Sequence, residues 1–182
     1  LRMIFGPLSP DLLPGARNAV ATWLAIQPGE RVTVIVDGPS GEVAASLDRA
    51  LTECRAIATC LSIEALAARP LVAAPPEVLA SLETADAGIL CVQPQEGELP
   101  ARRAIVGVVE RRQIRYAHMV GVTPRIMCEG MRADYHRVDR LSQQLCERMP
   151  WARRLTVRTG AGTNFTAPFD PALPLVKTSG VI

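Results

Sequence analysis

The run Arg31 to Asp37 reads RVTVIVD, and it limits what this chain can become. Val32 to Val36 are all β-branched, which favours an extended backbone. A run this apolar suits a buried strand, and fully buried strands belong to parallel sheets covered on both faces. Parallel strands need crossover connections, so helices should follow and precede it.

The flanking sequence supplies them. Upstream, Leu12, Leu13, Ala16, Val20, Trp23 and Leu24 recur at helical spacing within residues 10–26, and Gln27-Pro28-Gly29-Glu30 closes that helix with a turn. Downstream, helical spacing is expected over Glu42 to Arg55, from Pro75-Pro76 to Leu82, and over Arg102 to Arg112. Strands are expected at Ala56 to Ile63, Asp86 to Val92 and Ile114 to Met119. A further helix should cover Asp134 to Met149, with Tyr135, Val138, Leu141, Leu145 and Met149 on one face. This alternation predicts an α/β fold: a mostly parallel, Rossmann-like sheet with helices on both faces.

The pattern changes after Pro150-Trp151. Leu155 to Thr159 and Thr163 to Ala167 flank Gly160-Ala161-Gly162, which predicts a β-hairpin with no crossover helix. We therefore expect an α/β amino-terminal domain over residues 1–152. Residues 153–182 read as the start of a second, mostly absent domain, because the chain stops inside the extended run Val176 to Ile182. The apolar side chains of that tail need cover, either from the remainder of the same chain or from a second copy.

Composition excludes several classes. Twenty Lys+Arg face eighteen Asp+Glu in 182 residues, and a net charge of +2 leaves no basic footprint for nucleic acid. No apolar run reaches membrane-spanning length and no signal peptide is visible, so no membrane is expected and the cytoplasm is the default. The five cysteines, Cys54, Cys60, Cys91, Cys128 and Cys146, are odd in number and lack CxxC spacing. They read as reduced, largely buried thiols rather than as a disulfide framework.

Candidate chemistry is sparse. Asp37-Gly38-Pro39-Ser40-Gly41 follows the first strand and opens a helix, a place where α/β sheets bind ligands. It is neither GxGxxG nor a P-loop, so Ser40 as a helix N-cap is the preferred reading. The two histidines, His118 and His136, have no spaced partners and do not make a metal site. Cys128 beside Glu129 has the composition of a nucleophile and base, but no spacing rule supports it, and a core thiol is preferred. Asp134 and Asp139 read as carboxylates solvated or paired with nearby arginines. No catalytic, cofactor or metal residue is assigned within this segment.

Several stretches carry a family resemblance. These are Gln27-Pro28-Gly29-Glu30-Arg31-Val32; Arg115-Tyr116-Ala117-His118-Met119-Val120-Gly121-Val122-Thr123 with Met127 and Asp134-Tyr135; Val157 to Thr166; and Val176-Lys177-Thr178-Ser179-Gly180. Together and in this order they resemble the amino-terminal domain of the M29 family of thermophilic, metal-dependent aminopeptidases, and the join to its next domain. Asn164 stands where the family's turn usually has Asp. The resemblance implies a second domain with two divalent metals, zinc, cobalt or manganese, and a small peptide substrate. The family's ligands lie beyond the last residue here, so none is carried over. A related group that opens dihydroxypyridine rings with a single iron, on a small aromatic substrate, is similar over the same stretch. A reading of another class is a non-catalytic α/β binding or assembly domain.

Overall fold

The computed structural model describes residues 6–170 and 172–181, in two compact units that divide between Ala133 and Asp134. The first unit is built on four parallel strands: β1 (Arg31–Val36), β2 (Ile57–Ser62), β3 (Ala87–Cys91) and β4 (Arg115–His118), in the order β2-β1-β3-β4. The expected α/β class and parallel sheet are what the chain forms.

Helices lie on both faces because β1 is apolar on both. On one face Val32, Val34 and Val36 join Ile89 and Cys91 under α1 (Leu13–Arg17) and α2 (Gly41–Glu53), with Val43 and Leu47 buried against them. On the other face Ile35 and Leu90 pack with Val78 and Leu82 of α4 (Pro76–Glu83) and with Ile105 of α5 (Leu99–Arg112). The one polar side chain in the middle of β1, Thr33, is buried but pairs its hydroxyl with Ser81 of α4 at 2.7 Å. Each fully buried aliphatic side chain contributes about 1.5–3 kcal/mol relative to exposure.

The first helix departs from a plain α-helix. After α1 it widens into a π turn over Asn18–Trp23, with Leu24 N donating to Ala19 O at 3.1 Å. Gly15 explains the close fit of α1: a Cβ there would lie 2.5 Å from Met127 O. Two short helices had no periodic signal, α3 (Ile63–Leu66) and α6 (Pro124–Cys128).

α5 ends on Gln113 in the left-handed conformation, φ 52° and ψ 36°. That conformation costs a residue with a Cβ about 1–2 kcal/mol, and glycine carries no such penalty. Gln113→Gly should therefore raise stability by about 1 kcal/mol, read as a higher midpoint in thermal unfolding. A lower midpoint would mean that the Gln113 side chain, which donates to Glu110 O at 2.7 Å, matters more than backbone strain.

The second unit holds α7 (Tyr135–Arg148) and an antiparallel hairpin of β5 (Arg154–Arg158) and β6 (Asn164–Pro168). The hairpin lies where the glycine turn predicts it. In this division α7 falls with the hairpin, and its apolar face has no buried residue, with Leu141 and Leu145 exposed. Asp139 ties the later tail to α7, accepting from Lys177 Nζ at 2.6 Å and from the Ser179 hydroxyl. Trp151 (86% exposed), Phe165, Leu173 and Val176 are left uncovered. Ile182, the end of the expected extended run, lies outside the described residues.

Candidate functional site

Strand order reverses between β1 and β3: from β1 the chain crosses to β2 on one side, and from β3 to β4 on the other. The crevice beyond the carboxyl ends of two such strands is where open α/β sheets place ligands. In this chain it is bounded by Asp37, directly after β1, and by Gln93, two residues past the end of β3.

That crevice is filled by the chain itself. Arg69 enters it with its side chain 6% exposed, between Asp37 at 0% and Glu98 at 3%. Its Nε and Nη2 donate to the two oxygens of Glu98 at 2.8 and 2.7 Å, the bidentate geometry that suits guanidinium and carboxylate. Nη1 donates to Asp37 Oδ2 at 2.5 Å and Nη2 to Gln93 O at 2.6 Å. The carboxylates have main-chain donors too: Ser40 N to Asp37 Oδ1 at 3.0 Å, Gln93 N to Asp37 Oδ2 at 2.7 Å, and Leu71 N to Glu98 Oε1 at 3.0 Å. Hydrogen bonds from Arg69 are the main reason the Glu98 carboxyl sits below its usual range, against the opposing effect of burial.

This arrangement is a poor anion site. The loop donors that a phosphate would use are taken, Ser40 N by Asp37 and Gly38 N by Glu64 Oε1 at 3.3 Å. The surrounding charge is three carboxylates to one guanidinium, since Glu64 also lies 3.9 Å from Arg69. Such a field repels phosphate. Ser40 stands at the N-cap position of α2, as expected, but its side chain makes no capping bond there; Asp37 caps the preceding turn over Gly38–Ser40. Ser40 Oγ instead accepts from Gln93 Nε2 at 3.4 Å.

The remaining candidates stay apart. His118 is exposed at the end of β4, with its ring centroid 5.9 Å from that of Tyr116; burial, then the nearby Arg102 charge, lowers its pKa. His136 lies on α7, in the other unit. Cys128 Sγ points to Asp11 O at 3.6 Å, and Glu129 is engaged by Arg125 at 2.9 Å, so the structure assigns them no joint role. Asp134 caps α7 by accepting from Arg137 N at 2.9 Å. All five cysteines are free, but only Cys91 is fully buried; the other four are half-buried, because each lies at a sheet edge or near a helix end. Burial pushes the Cys60 thiol up to about 11 and Cys91 to about 12, which keeps both protonated.

Among the described residues no group of three or more His, Cys, Asp or Glu side chains is placed to hold a metal ion. Among the described residues, then, the divalent metals implied by the family resemblance meet no such ligand set. The second unit has an apolar cleft of about 210 Å³, lined by Met149, Pro150, Phe169, Asp170, Leu173 and Leu175. That is below the roughly 300–1,000 Å³ of ordinary small-molecule sites. No helix among the described residues is long and apolar enough to cross a membrane.

No protein-family model matches the chain, and no curated protein matches it. Among solved structures it is similar to wild-type AmpT from Thermus thermophilus, with TM-score 0.45 and 11% identity, over 80% of this chain and 50% of that one. The chain thus spans about half the length of the structure it matches. A likeness at this level carries no argument about activity.

Proposed function

We propose that this chain is the amino-terminal part of a metal-dependent, aminopeptidase-like hydrolase, in which it serves as a folded scaffold. The observation that carries the scaffold role is the switch-point crevice, filled by Arg69 and its two buried carboxylates. The place where a sheet of this kind would hold a ligand is spent on holding the sheet together. The family assignment is supported by the ordered sequence resemblance. In this reading the metal ligands belong to sequence downstream of Ile182, so no step of the hydrolysis is assigned to a residue of this chain. The exposed apolar side chains of the second unit are then the surface on which the remainder of the protein packs. The free cysteines fit a reducing compartment, and we place the protein in the cytoplasm.

The test is to express the gene read through past Ile182 beside the 182-residue chain, and to assay both on short peptides with zinc, cobalt or manganese. The longer protein should release amino-terminal residues, lose activity to a chelator and regain it with metal; the short chain should do none of this. Iron-dependent opening of a dihydroxypyridine ring by the longer protein would move the assignment to the dioxygenases. A stop codon directly after Ile182 would leave a non-catalytic assembly domain.

A further inference from the structure

Among the described residues β2 is an edge of the sheet, with β1 as its sheet neighbour. Ile57 N donates to Glu30 O at 2.8 Å, so the main-chain groups of Ile57, Thr59 and Leu61 turn inward to β1. By alternation, those of Ala58, Cys60 and Ser62 turn outward. The strand is open to solvent, with Ile57 58% exposed and Ala58 and Thr59 exposed as well.

Proteins guard such edges with charges, prolines, bulges or short strands. The opposite edge, β4, follows that rule: it has four residues and carries Arg115 and His118. β2 does not. Its six residues, IATCLS, contain no charge, no proline and no glycine, and they pair with β1 in unbroken register.

We infer that the β2 edge is a docking surface for a second copy of this chain, the two β2 strands pairing antiparallel about a two-fold axis. Three features select a second copy. In a two-fold pair the residue on the axis faces itself, which a charged strand resists and an uncharged one permits. Centring on Thr59 matches the outward groups of Ala58 to those of Cys60 as hydrogen-bonded pairs. It also sets exposed Ile57 beside Leu61 of the second copy, covering an apolar side chain. The flanking charges are opposite, Arg55 before the strand and Glu64 after it, and both are exposed. Antiparallel pairing brings the Arg55 end of one copy to the Glu64 end of the other. Cys60 packs its side chain on the α1–α2 core, so the association is non-covalent. The product is one eight-stranded sheet with β4 at both outer edges.

Light scattering on the intact chain, with hydrogen exchange across a concentration series, tests this. The expected mass is twice 19.6 kDa, with the amides of Ala58 and Cys60 gaining protection as concentration rises. Ala58→Pro removes an outward N–H and spares the β1 ladder, which edge strands tolerate. Thr59→Lys sets two like charges face to face. Both variants should run at the monomer mass with unchanged circular dichroism. A monomeric wild type with concentration-independent exchange overturns the inference. So does a dimer that survives both variants with the β2 amides unprotected, which would place association on the second unit. If a variant loses its fold, the wild-type exchange series decides alone.

Discussion

An Arg69→Ala chain should lose about 3–5 kcal/mol of unfolding free energy at neutral pH, because it strands two buried carboxylates without their cation. Asp37 and Glu98 keep their main-chain donors but not the guanidinium between them. Arg69→Lys should recover only part of the loss, since a lysine cannot make the bidentate pair with Glu98. The pH dependence separates this cause from simple loss of packing. In the wild type the folded Glu98 carboxyl lies below its usual value. Its contribution is therefore complete above the unfolded pKa of about 4.3 and is lost as pH falls through the lower folded value. Without Arg69, burial acts to raise the folded Glu98 carboxyl instead, so acid relieves the variant. Urea titrations at pH 7 and pH 4 should show the gap between the two proteins narrowing. A gap that stays constant would assign the loss to packing alone.

The second large effect is a reversal of sign between two helical glycines. At Gly107 of α5 an added methyl would meet nothing within 4 Å, and Gly107→Ala should gain about 0.5–1 kcal/mol from helix propensity. At Gly15 of α1 the same methyl would lie 2.5 Å from Met127 O and 3.1 Å from Met131 Cβ. A carbonyl oxygen of the main chain cannot rotate aside as a side chain can. Gly15→Ala should thus cost about 1–3 kcal/mol in spite of its better propensity. Thermal unfolding midpoints moving in opposite directions would bear this out; a gain at both positions would show that α1 can slide away from Met127.

The strands and most helices were legible because their signals are local. Val32 to Val36 announce β1 by branching alone, and Gly160 and Gly162 announce the hairpin. The crevice was half legible: Asp37 stands in a loop that sequence marks, whereas Arg69 and Glu98 sit in stretches without periodicity. Their meaning arises only when Arg69 meets partners 32 and 29 residues away. Sequence placed Ser40 at the start of α2, where it stands, but the side-chain capping bond in this loop is made by Asp37 one turn earlier, because both residue types cap well and geometry decides between them. α7 was legible as a helix, but helical spacing reports that a face is apolar, not that anything covers it.

The ladder order has a consequence for the sequence of events in folding. β1 meets β2 through the single crossover α2, but β3 joins β1 only after the intervening chain has closed, and Gln93 reaches Asp37 across 56 residues. Loop-closure entropy favours the shorter connection first. The Arg69 network needs β3 in place, so we expect it to be assembled late, after the rate-limiting barrier. Interactions absent from the transition state govern escape from the native basin. Loosening this network should leave refolding rates nearly untouched and raise the unfolding rate, so that the filled crevice acts as a latch on the native state's lifetime.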